Sequence, residues 1–399
     1  MDTTTKLVSI SERRYDIDWL RVLAVLLLIY YHTAMVFNHF KWHIKNDQLS
    51  VGITAFSIFV HQWHMPLFFF VSGVATWYAL GFRRSGQYIV ERIKRLLIPL
   101  ACGMLLIVPP QVYAERVFSL LYHDSHLISP ISYEGTYLQF YFNLFNGLYP
   151  EGNVSWHHLW FLCYLFSFSL IALPFFQFLR RESGKRVTLW LGNFFEKRGM
   201  IFLFGIPLVF IEAVLRARWP GFQNLYDDWA NFFFYLIIFI YGYLLCSDAR
   251  YKEVIVLHGK SAITLAGIAT LILLGLHGAE KIPASDYSLG WILYMVLRSF
   301  NTWFWIIAIL SLGYHYLSFN NKVLQYANEA VLPFYILHQT IIVIISFYVV
   351  RWDASVRGKY FFISTVSLIS TIVVYDLLIK RTHLTRFLLG MRLKRRVPE

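Results

Sequence analysis

Long apolar stretches alternate with short polar segments along nearly all of the 399-residue chain. About 20 apolar residues are enough for an α-helix to cross the hydrocarbon core of a bilayer. Ten stretches approach or exceed that length, so the pattern predicts an all-α, polytopic membrane protein with ten transmembrane helices. The stretches are residues 19–38, 53–80, 93–113, 157–179, 200–216, 229–247, 261–277, 290–316, 331–350 and 360–379.

The polar segments divide the chain into two tails and one helical membrane domain. Residues 1–18 form a polar tail without a cleavable signal pattern, residues 19–380 form the membrane domain, and residues 381–399 form a basic tail. Pro109-Pro110 is expected to end the third helix, because proline lacks the N–H group that a helix interior needs.

The positions of lysine and arginine predict the orientation of the helices. With the N-terminus in the cytoplasm, 26 of these residues fall on the cytoplasmic side and 9 on the opposite side. Cytoplasmic loops carry the excess of positive charge, so we expect both termini in the cytoplasm of a multi-pass protein of the bacterial inner membrane. The longest loop, 114–156, then lies outside. Its many tyrosines suit stacking on sugar rings or a lid in the interfacial aromatic belt.

The composition supports a membrane protein. Hydrophobic residues make up 57% of the chain and charged residues 15%, whereas roughly 25% of a typical soluble domain is charged. The net charge of +13 comes from short clusters between apolar stretches, so the expected partner is the lipid bilayer and not nucleic acid. The three cysteines form no CxxC pair, which supports neither a disulfide framework nor a zinc site.

Two ionisable residues lie at the ends of the apolar run RVLAVLLLIYYH. Arg21 and His32 are eleven residues apart, so an α-helix places them on nearly the same face and roughly 16 Å apart along its axis. With Arg21 at the cytoplasmic rim, His32 lies beyond the bilayer midplane. Ionisable groups at that depth mark functional sites, although a lone histidine hydrogen-bonded between helices is the plainer interpretation.

Histidines recur near the outer ends of other helices. His61 and His64 are three residues apart in the second stretch, His158 opens the fourth, and His338 lies in the ninth. Imidazoles on several helices favour a functional cluster over packing. No carboxylate or thiol lies near His61 and His64 in sequence to serve as a third ligand, so no metal site is predicted.

Arg92 and Arg95 are three residues apart at the cytoplasmic start of the third stretch. An α-helix would place both guanidinium groups on one face, where they suit phosphate oxygens. The alternative is a charge cluster that only obeys the positive-inside rule.

These motifs occur in the order of a known family. RVLAVLLLIYYH resembles the R-x10-H signature, and RIKR at 92–95 the RxxR motif, of the acyltransferase 3 family of integral membrane O-acyltransferases. DWLR, MPLFFFVSG, HLWFL and PFYILH resemble further family blocks, and the ordered match extends across nearly the whole chain. WHI at 42–44 and His61 look most like the glucan biosynthesis protein C branch, the periplasmic glucan succinyltransferases.

The resemblance implies an enzyme that moves an acyl group, acetyl or succinyl, from cytoplasmic acyl-CoA to a hydroxyl of an extracytoplasmic glycan. Acyl-CoA is then a co-substrate, and no permanently bound cofactor is expected. The implied catalytic residues are His32, as general base, with Arg21 and Asp18.

The remaining candidates would bind the substrates. The polyanionic CoA group needs cations, and a thioester reaction needs donors for the developing oxyanion. Candidates for binding acyl-CoA are Arg92, Arg95 and Ser72. Candidates for the acceptor or the oxyanion are His61, His64, His158, Trp160, His338 and Arg298.

A proton-coupled transporter of an anionic small molecule is the main alternative, since intramembrane histidines and Arg298 suit a proton or anion path. The chain shows no inverted repeat, and a transporter does not explain the RxxR position. A purely structural scaffold is disfavoured because buried titratable groups are costly. The acyl group, the acceptor and the oligomeric state stay open at this point.

Overall fold

The computed structural model describes residues 13–122, 125–221 and 223–392, and the regular secondary structure within them is helical. The predicted all-α class is confirmed. In chain order the helices are α1 (Tyr15–Met35), α2 (Val51–Phe82), α3 (Ser85–Leu121), α4 (Tyr137–Phe142), α5 (His157–Ile171), α6 (Leu173–Leu179), α7 (Glu182–Phe195), α8 (Met200–Leu215), α9 (Trp229–Ser247), α10 (Ala249–Gly278), α11 (Leu289–Tyr316), α12 (Lys322–Val349), α13 (Val356–Ile379) and α14 (His383–Leu388).

Nine of the ten predicted stretches each fall on one helix, and the stretch 157–179 falls on two, α5 and α6. Among the described residues, eight helices are long and apolar enough to cross a membrane: α1, α2, α3 and α9 to α13. Helices α5 and α6 meet at a bend of 46° and make a ninth if they are one span, while α8 is a shorter apolar helix. The chain is therefore a multi-pass membrane protein.

Helix α3 continues through Pro109-Pro110 to Leu121, so the predicted stop at the prolines is wrong and residues 114–121 are helical. A turn of π-helix, Gly103–Ile107, precedes the prolines, and its last bond joins the N–H of Val108 to the carbonyl of Gly103 at 2.9 Å. The prolines then occupy the first positions of the next α-helical segment, where a missing N–H is tolerated.

Helices also extend into the predicted tails. Helix α1 begins at Tyr15, inside the predicted tail 1–18, and α14 lies inside the predicted tail 381–399. Helix α10 begins well before its apolar stretch because Asp248 caps it, with the carboxylate accepting the N–H of Arg250 at 3.0 Å.

The described part of the remaining loop, residues 125–156, is folded around aromatic rings. Tyr113 of α3 packs against Tyr133, Tyr137 and Phe140, with ring centroids 6.2, 5.4 and 5.6 Å away. The rings gather around the buried Phe140, so part of the loop's aromatic content has a structural role.

The contacts divide the chain into two compact units. Unit 1 holds the described residues of Met1–Arg21, Phe59–Val90 and Tyr164–Leu324, and unit 2 holds those of Val22–Ile58, Glu91–Cys163 and Gln325–Glu399.

In unit 1, α2 and α9 approach each other closely. A Cβ atom at Gly73 would overlap the carbonyl oxygen of Phe239, and one at Gly242 would overlap that of Phe70. Glycine at both positions lets the two backbones touch, as small residues do in many contacts between membrane helices.

In unit 2, two buried lysines hold the segment between α1 and α2, which carries His43. Nζ of Lys45 donates to the carbonyl of Met35 at 2.8 Å, and Nζ of Lys359 donates to Oδ1 of Asn46 at 3.0 Å. A buried ammonium group must be hydrogen-bonded. These bonds therefore fix the segment against the end of α1 and fix the position of His43.

Candidate active site

The histidines of α1 and α12 lie next to each other in unit 2. Nδ1 of His32 is 2.9 Å from Nε2 of His338, and the two rings stack with centroids 4.9 Å apart. The other ring nitrogen of His338, Nδ1, lies 2.7 Å from the carbonyl oxygen of Tyr335. His338 is buried and His32 is partly buried.

The backbone carbonyl determines where the protons of this pair lie. A carbonyl oxygen only accepts, so Nδ1 of His338 carries hydrogen. In a neutral His338, Nε2 is then an acceptor, and Nδ1–H of His32 donates to it. Nε2 of a neutral His32 therefore carries the lone pair that a general base needs.

His158, in the first turn of α5, completes a group of three histidines. Its ring lies 5.2 Å from that of His338, edge to face. Its Nε2 donates to the carbonyl of Ile336 at 3.0 Å. The lone pair of a neutral His158 is therefore on Nδ1, which is buried and has no hydrogen-bond partner among the described residues. This nitrogen suits accepting a bond from a hydroxyl, whereas donation to an oxyanion would require the protonated ring.

A second polar group in unit 2 is centred on a buried carboxylate. Nδ1 of His43 is 2.8 Å from Oε2 of Glu115, and Oε1 of Glu115 accepts the hydroxyl of Tyr149 at 2.8 Å. Burial raises the pKa of Tyr149, and the Glu115 carboxylate adds to the effect, so the hydroxyl keeps its proton and donates. The ring of His157 lies 4.6 Å from that of His43.

A chain of hydrogen bonds through two side-chain amides determines the position of the proton on His43. The hydroxyl of Thr340 donates to the carbonyl of Ile107 at 2.7 Å and accepts from Nε2 of Gln111 at 3.0 Å. Oε1 of Gln111 accepts from Nε2 of Gln339 at 3.1 Å, and the same Nε2 lies 3.2 Å from Nε2 of His43. The amide therefore donates to His43, and the proton of a neutral His43 lies on Nδ1.

Trp42 lies between the two groups. Its ring centroid is 5.3 Å from that of His32 and 4.6 Å from that of His43. Five histidines of unit 2 thus form one connected set, here named the imidazole cluster. Its members are His32, His43, His157, His158 and His338.

Arg92 and Arg95 do not share a regular α-helix. Arg92 ends an α-helical segment of α3, and Arg95 lies in the π-helical turn Ile93–Leu97, where the expected i,i+3 geometry does not hold. The guanidinium of Arg95 lies 3.6 Å from the carboxylate of Glu91, and its Nε donates to the carbonyl of Gly390 at 3.3 Å. Both arginines are partly exposed. They form a basic surface next to the C-terminal tail.

Three other predicted residues bond locally in unit 1. The carboxylate of Asp18 pairs with Arg21 and with Arg13, each at 2.9 Å. The hydroxyl of Ser72 donates to the carbonyl of Phe68 in the same helix at 2.8 Å. Asp18 thus orients Arg21, while Ser72 would have to rotate before it could donate to a ligand.

His64 and Trp160 are both buried. His64 packs in unit 1 with its ring centroid 5.0 Å from that of Phe68. Trp160 lies in unit 2, where the first turn of α5 changes from 3-10 to α-helix.

His61 and Arg298 line a cavity of unit 1, which encloses about 570 Å³ including the part open to solvent. Two further lining residues, Glu212 and Arg216, form a buried ion pair with Oε1 and Nη2 2.5 Å apart. Arg298 lies 3.8 Å from the other carboxylate oxygen of Glu212. Arg216 also interacts with a second carboxyl group, that of the buried Asp228.

Comparison with known proteins assigns the chain to a family. The sequence profile described as an acyltransferase domain matches residues 14–378. The chain belongs to the acyltransferase 3 family. The protein is therefore an acyltransferase, and the predicted resemblance is confirmed.

Relatives of this acyltransferase carry the name Glucans biosynthesis protein C. Those of Escherichia coli strain SMS-3-5, Escherichia coli strain K12 and Shigella dysenteriae serotype 1 are each 23% identical over 356 residues, which cover 85% of this chain and 84% of each relative. The predicted likeness to the glucan biosynthesis branch is thereby confirmed. No solved structure matches the chain.

The sequence identified three of the five histidines of the imidazole cluster as site candidates, His32, His158 and His338, but not the carboxylate and amides that hold His43. Glu115 falls in the predicted loop 114–156 because Pro109-Pro110 reads as the end of a helix. A signal was present, since Gln111 and Glu115 are four residues apart. A continued helix therefore places both on one face.

Glu212→Gln is expected to destabilise the acyltransferase strongly, because Arg216 would stay buried without its counter-charge. Removing one partner of a buried ion pair costs about 3–5 kcal/mol, so the midpoint of thermal unfolding of the detergent-purified protein should fall. Glu182→Gln is the control, because Glu182 and Lys185 form an exposed pair that adds little stability. Equal midpoints for the two variants would contradict a buried pair in the cavity.

Proposed function

We propose that this acyltransferase carries an acetyl or succinyl group from cytoplasmic acyl-CoA to a hydroxyl of an extracytoplasmic glycan. The observation that carries the proposal is the pairing of His32 with His338, which leaves the lone pair of His32 on Nε2. The relatives' name refers to glucans, which supports a glucan as the acceptor. The family favours acyl transfer over the transporter alternative.

The chemistry requires a base for the attacking hydroxyl, and His32 supplies it. Nε2 of His32 takes the proton of the acceptor hydroxyl while the hydroxyl oxygen attacks the carbonyl carbon of the thioester. The tetrahedral intermediate collapses with cleavage of the C–S bond, and the proton passes from His32 to the CoA thiolate. The products are an O-acyl ester and CoA, so atoms and charge balance without another reactant.

His338 acts as a positioning residue for the base. When His32 holds the extra proton, its Nδ1–H still donates to Nε2 of His338. The carbonyl of Tyr335 keeps the proton of His338 on the opposite nitrogen throughout. The ring of His32 thus keeps one orientation in both protonation states. In other acyl-transfer enzymes, a residue hydrogen-bonded to the catalytic histidine holds its ring in the same way.

Arg92 and Arg95 would form the binding surface for the acyl donor, acyl-CoA. We propose ten spans with both termini in the cytoplasm of the inner membrane, as the charge distribution predicts. Arg95 bonds to Gly390 of the C-terminal tail, so the surface that carries Arg92 and Arg95 would face the cytoplasm. Guanidinium groups there suit the phosphates of acyl-CoA.

His32→Gln is expected to abolish acyl transfer while the protein stays in the membrane, because glutamine has no basic nitrogen. A strain without the gene is complemented with the wild type or the variant, and periplasmic and envelope glycans are analysed by mass spectrometry. The added mass identifies the acyl group as acetyl or succinyl. Acylation restored by the variant would exclude His32 as the base, and identical glycans with and without the gene would exclude a glycan acceptor.

Variants of His338 test the positioning role. The side-chain oxygen of glutamine can accept from Nδ1–H of His32, whereas leucine cannot. His338→Leu should lower kcat by about 10²-fold, the scale of a general-base effect, with little change in KM, and His338→Gln should recover part of the loss. Leucine and glutamine variants with the same kcat would show that the hydrogen bond is dispensable.

Charge reversal at the arginine pair tests donor binding. Arg92→Glu and Arg95→Glu should each raise the KM for acyl-CoA about tenfold or more, because a charge-assisted phosphate contact becomes a repulsion. Lys94→Glu is the matched control, since this exposed residue lies between the two arginines. If all three variants keep the wild-type KM in a thiol-release assay, the pair serves only the positive-inside rule.

A further inference from the structure

Three side chains of unit 2, two of them buried and one partly buried, form a group with the composition of a metal site. His43, Glu115 and His157 each offer one ligand atom, and the three atoms lie within 4.8 Å of one another. His43 is 4% exposed and Glu115 is 0% exposed. They come from the segment after α1, from α3 and from the start of α5. Sequence analysis predicted no metal because it considered only ligands close together in the chain.

Each of these side chains is held in place through its second polar atom. Nε2 of His43 is bonded to Gln339 at 3.2 Å, and Oε1 of Glu115 accepts from Tyr149 at 2.8 Å. Nδ1 of His157 is bonded to the hydroxyl of a serine, Ser155, at 2.7 Å. Metal ligands in proteins commonly have such outer partners, which fix the orientation of the ligating atom.

The remaining ligand atoms are those that face one another. Nδ1 of His43 and Oε2 of Glu115 are 2.8 Å apart. Nε2 of His157 is buried and has no hydrogen-bond partner among the described residues. A buried polar atom without a partner costs free energy, so a missing partner at this position is informative.

The backbone conformation of His157 also indicates a functional position. Its φ is +39°, in the left-handed region that residues other than glycine rarely adopt. Such a conformation is strained and tends to persist at functional sites. Here it holds the imidazole against His43, with the ring centroids 4.6 Å apart.

We propose that His43, Glu115 and His157 bind one divalent transition-metal ion of the zinc type. The ligating atoms are Nδ1 of His43, Oε2 of Glu115 and Nε2 of His157. Two imidazoles and one carboxylate are a ligand set typical of zinc and leave a fourth position open for water or a substrate oxygen. This site is independent of the acyl-transfer proposal.

The protons balance on binding. The ion takes the place of the proton on Nδ1 of His43, and that proton moves to Nε2 by exchange with solvent, so the neutral ring keeps one proton and none is released. The proton of neutral His43 then lies on Nε2, so Gln339 turns its amide oxygen toward it. Gln111 follows by rotating its own amide, and the hydroxyl of Thr340 then donates to Gln111. The amide chain thus reverses its direction, and the hydroxyl of Thr340 turns from the carbonyl of Ile107 to Gln111.

Arg116 is a nearby positive charge that would repel a bound metal ion, but its hydrogen bonds go to other groups. The guanidinium of Arg116 donates to the carbonyl oxygens of Pro150 and Gly152, with the first contact at 3.2 Å. The Glu115 carboxylate therefore remains available to compensate a bound cation.

The test measures metal binding directly. Full-length protein is purified in detergent from cells grown with added zinc, without chelators, and its metal content is measured by mass spectrometry. Metal-free protein is then titrated with Co²⁺, whose visible absorption reports a four-coordinate site. We expect about one zinc ion per chain. Glu115→Gln and His157→Gln should each weaken Co²⁺ binding at least tenfold, and Tyr149→Phe about tenfold through loss of the outer partner.

His39→Gln is the matched control, because His39 is an exposed histidine of the segment that carries His43. It should keep the wild-type metal content. Size-exclusion profiles identify variants that fail to fold. If the ligand variants fail, Tyr149→Phe, which removes only one hydroxyl, still tests the site. Wild-type protein that holds no zinc and gives no Co²⁺ spectrum would overturn the proposal. So would unchanged affinity in the Glu115, His157 and Tyr149 variants.

Discussion

Backbone carbonyl oxygens, which accept hydrogen bonds but never donate them, determine the proton positions in the candidate active site. The carbonyl of Tyr335 fixes the proton of His338 and, through it, that of His32. The carbonyl of Ile107 acts in the same way through one threonine and two glutamines, and the chain ends at His43. In a low-dielectric interior an unsatisfied donor is costly. One fixed acceptor therefore orders every donor that follows it.

One turn of α12 connects these hydrogen-bond chains. His338 bonds to His32 of α1, and the next residue, Gln339, bonds to His43 in the segment after α1. Thr340 then reaches Ile107 of α3. Successive residues of an α-helix point in different directions, at 3.6 residues per turn. Three neighbours can therefore serve three elements, and a shift of α12 would disturb both polar groups of unit 2 together.

The sequence was sufficient to predict the parts of this protein that depend on local composition. Apolar stretches located the helices, because a bilayer demands about 20 apolar residues per span. His32 and His338 stood out because a titratable ring in such a stretch is costly. The contacts between them were not predictable, since His32 and His338 are 306 residues apart. For the same reason His43 was identified only as part of a motif, and its bond to Glu115 was missed.

The largest error in the prediction also explains part of the site. Pro109-Pro110 was read as the end of a helix, yet the chain passes through it by way of a π turn. Pro109 offers no N–H to the carbonyl of Leu105, four residues before it, and the N–H of Gln111 bonds to the carbonyl of Val108 at 3.0 Å instead of that of Ile107. Both carbonyls are therefore available to other donors. The carbonyl of Leu105 accepts the hydroxyl of Tyr141 from α4, and that of Ile107 accepts the hydroxyl of Thr340 from α12. The residues that break the helical pattern in the sequence thus follow the acceptors that anchor the loop and direct the amide chain toward His43.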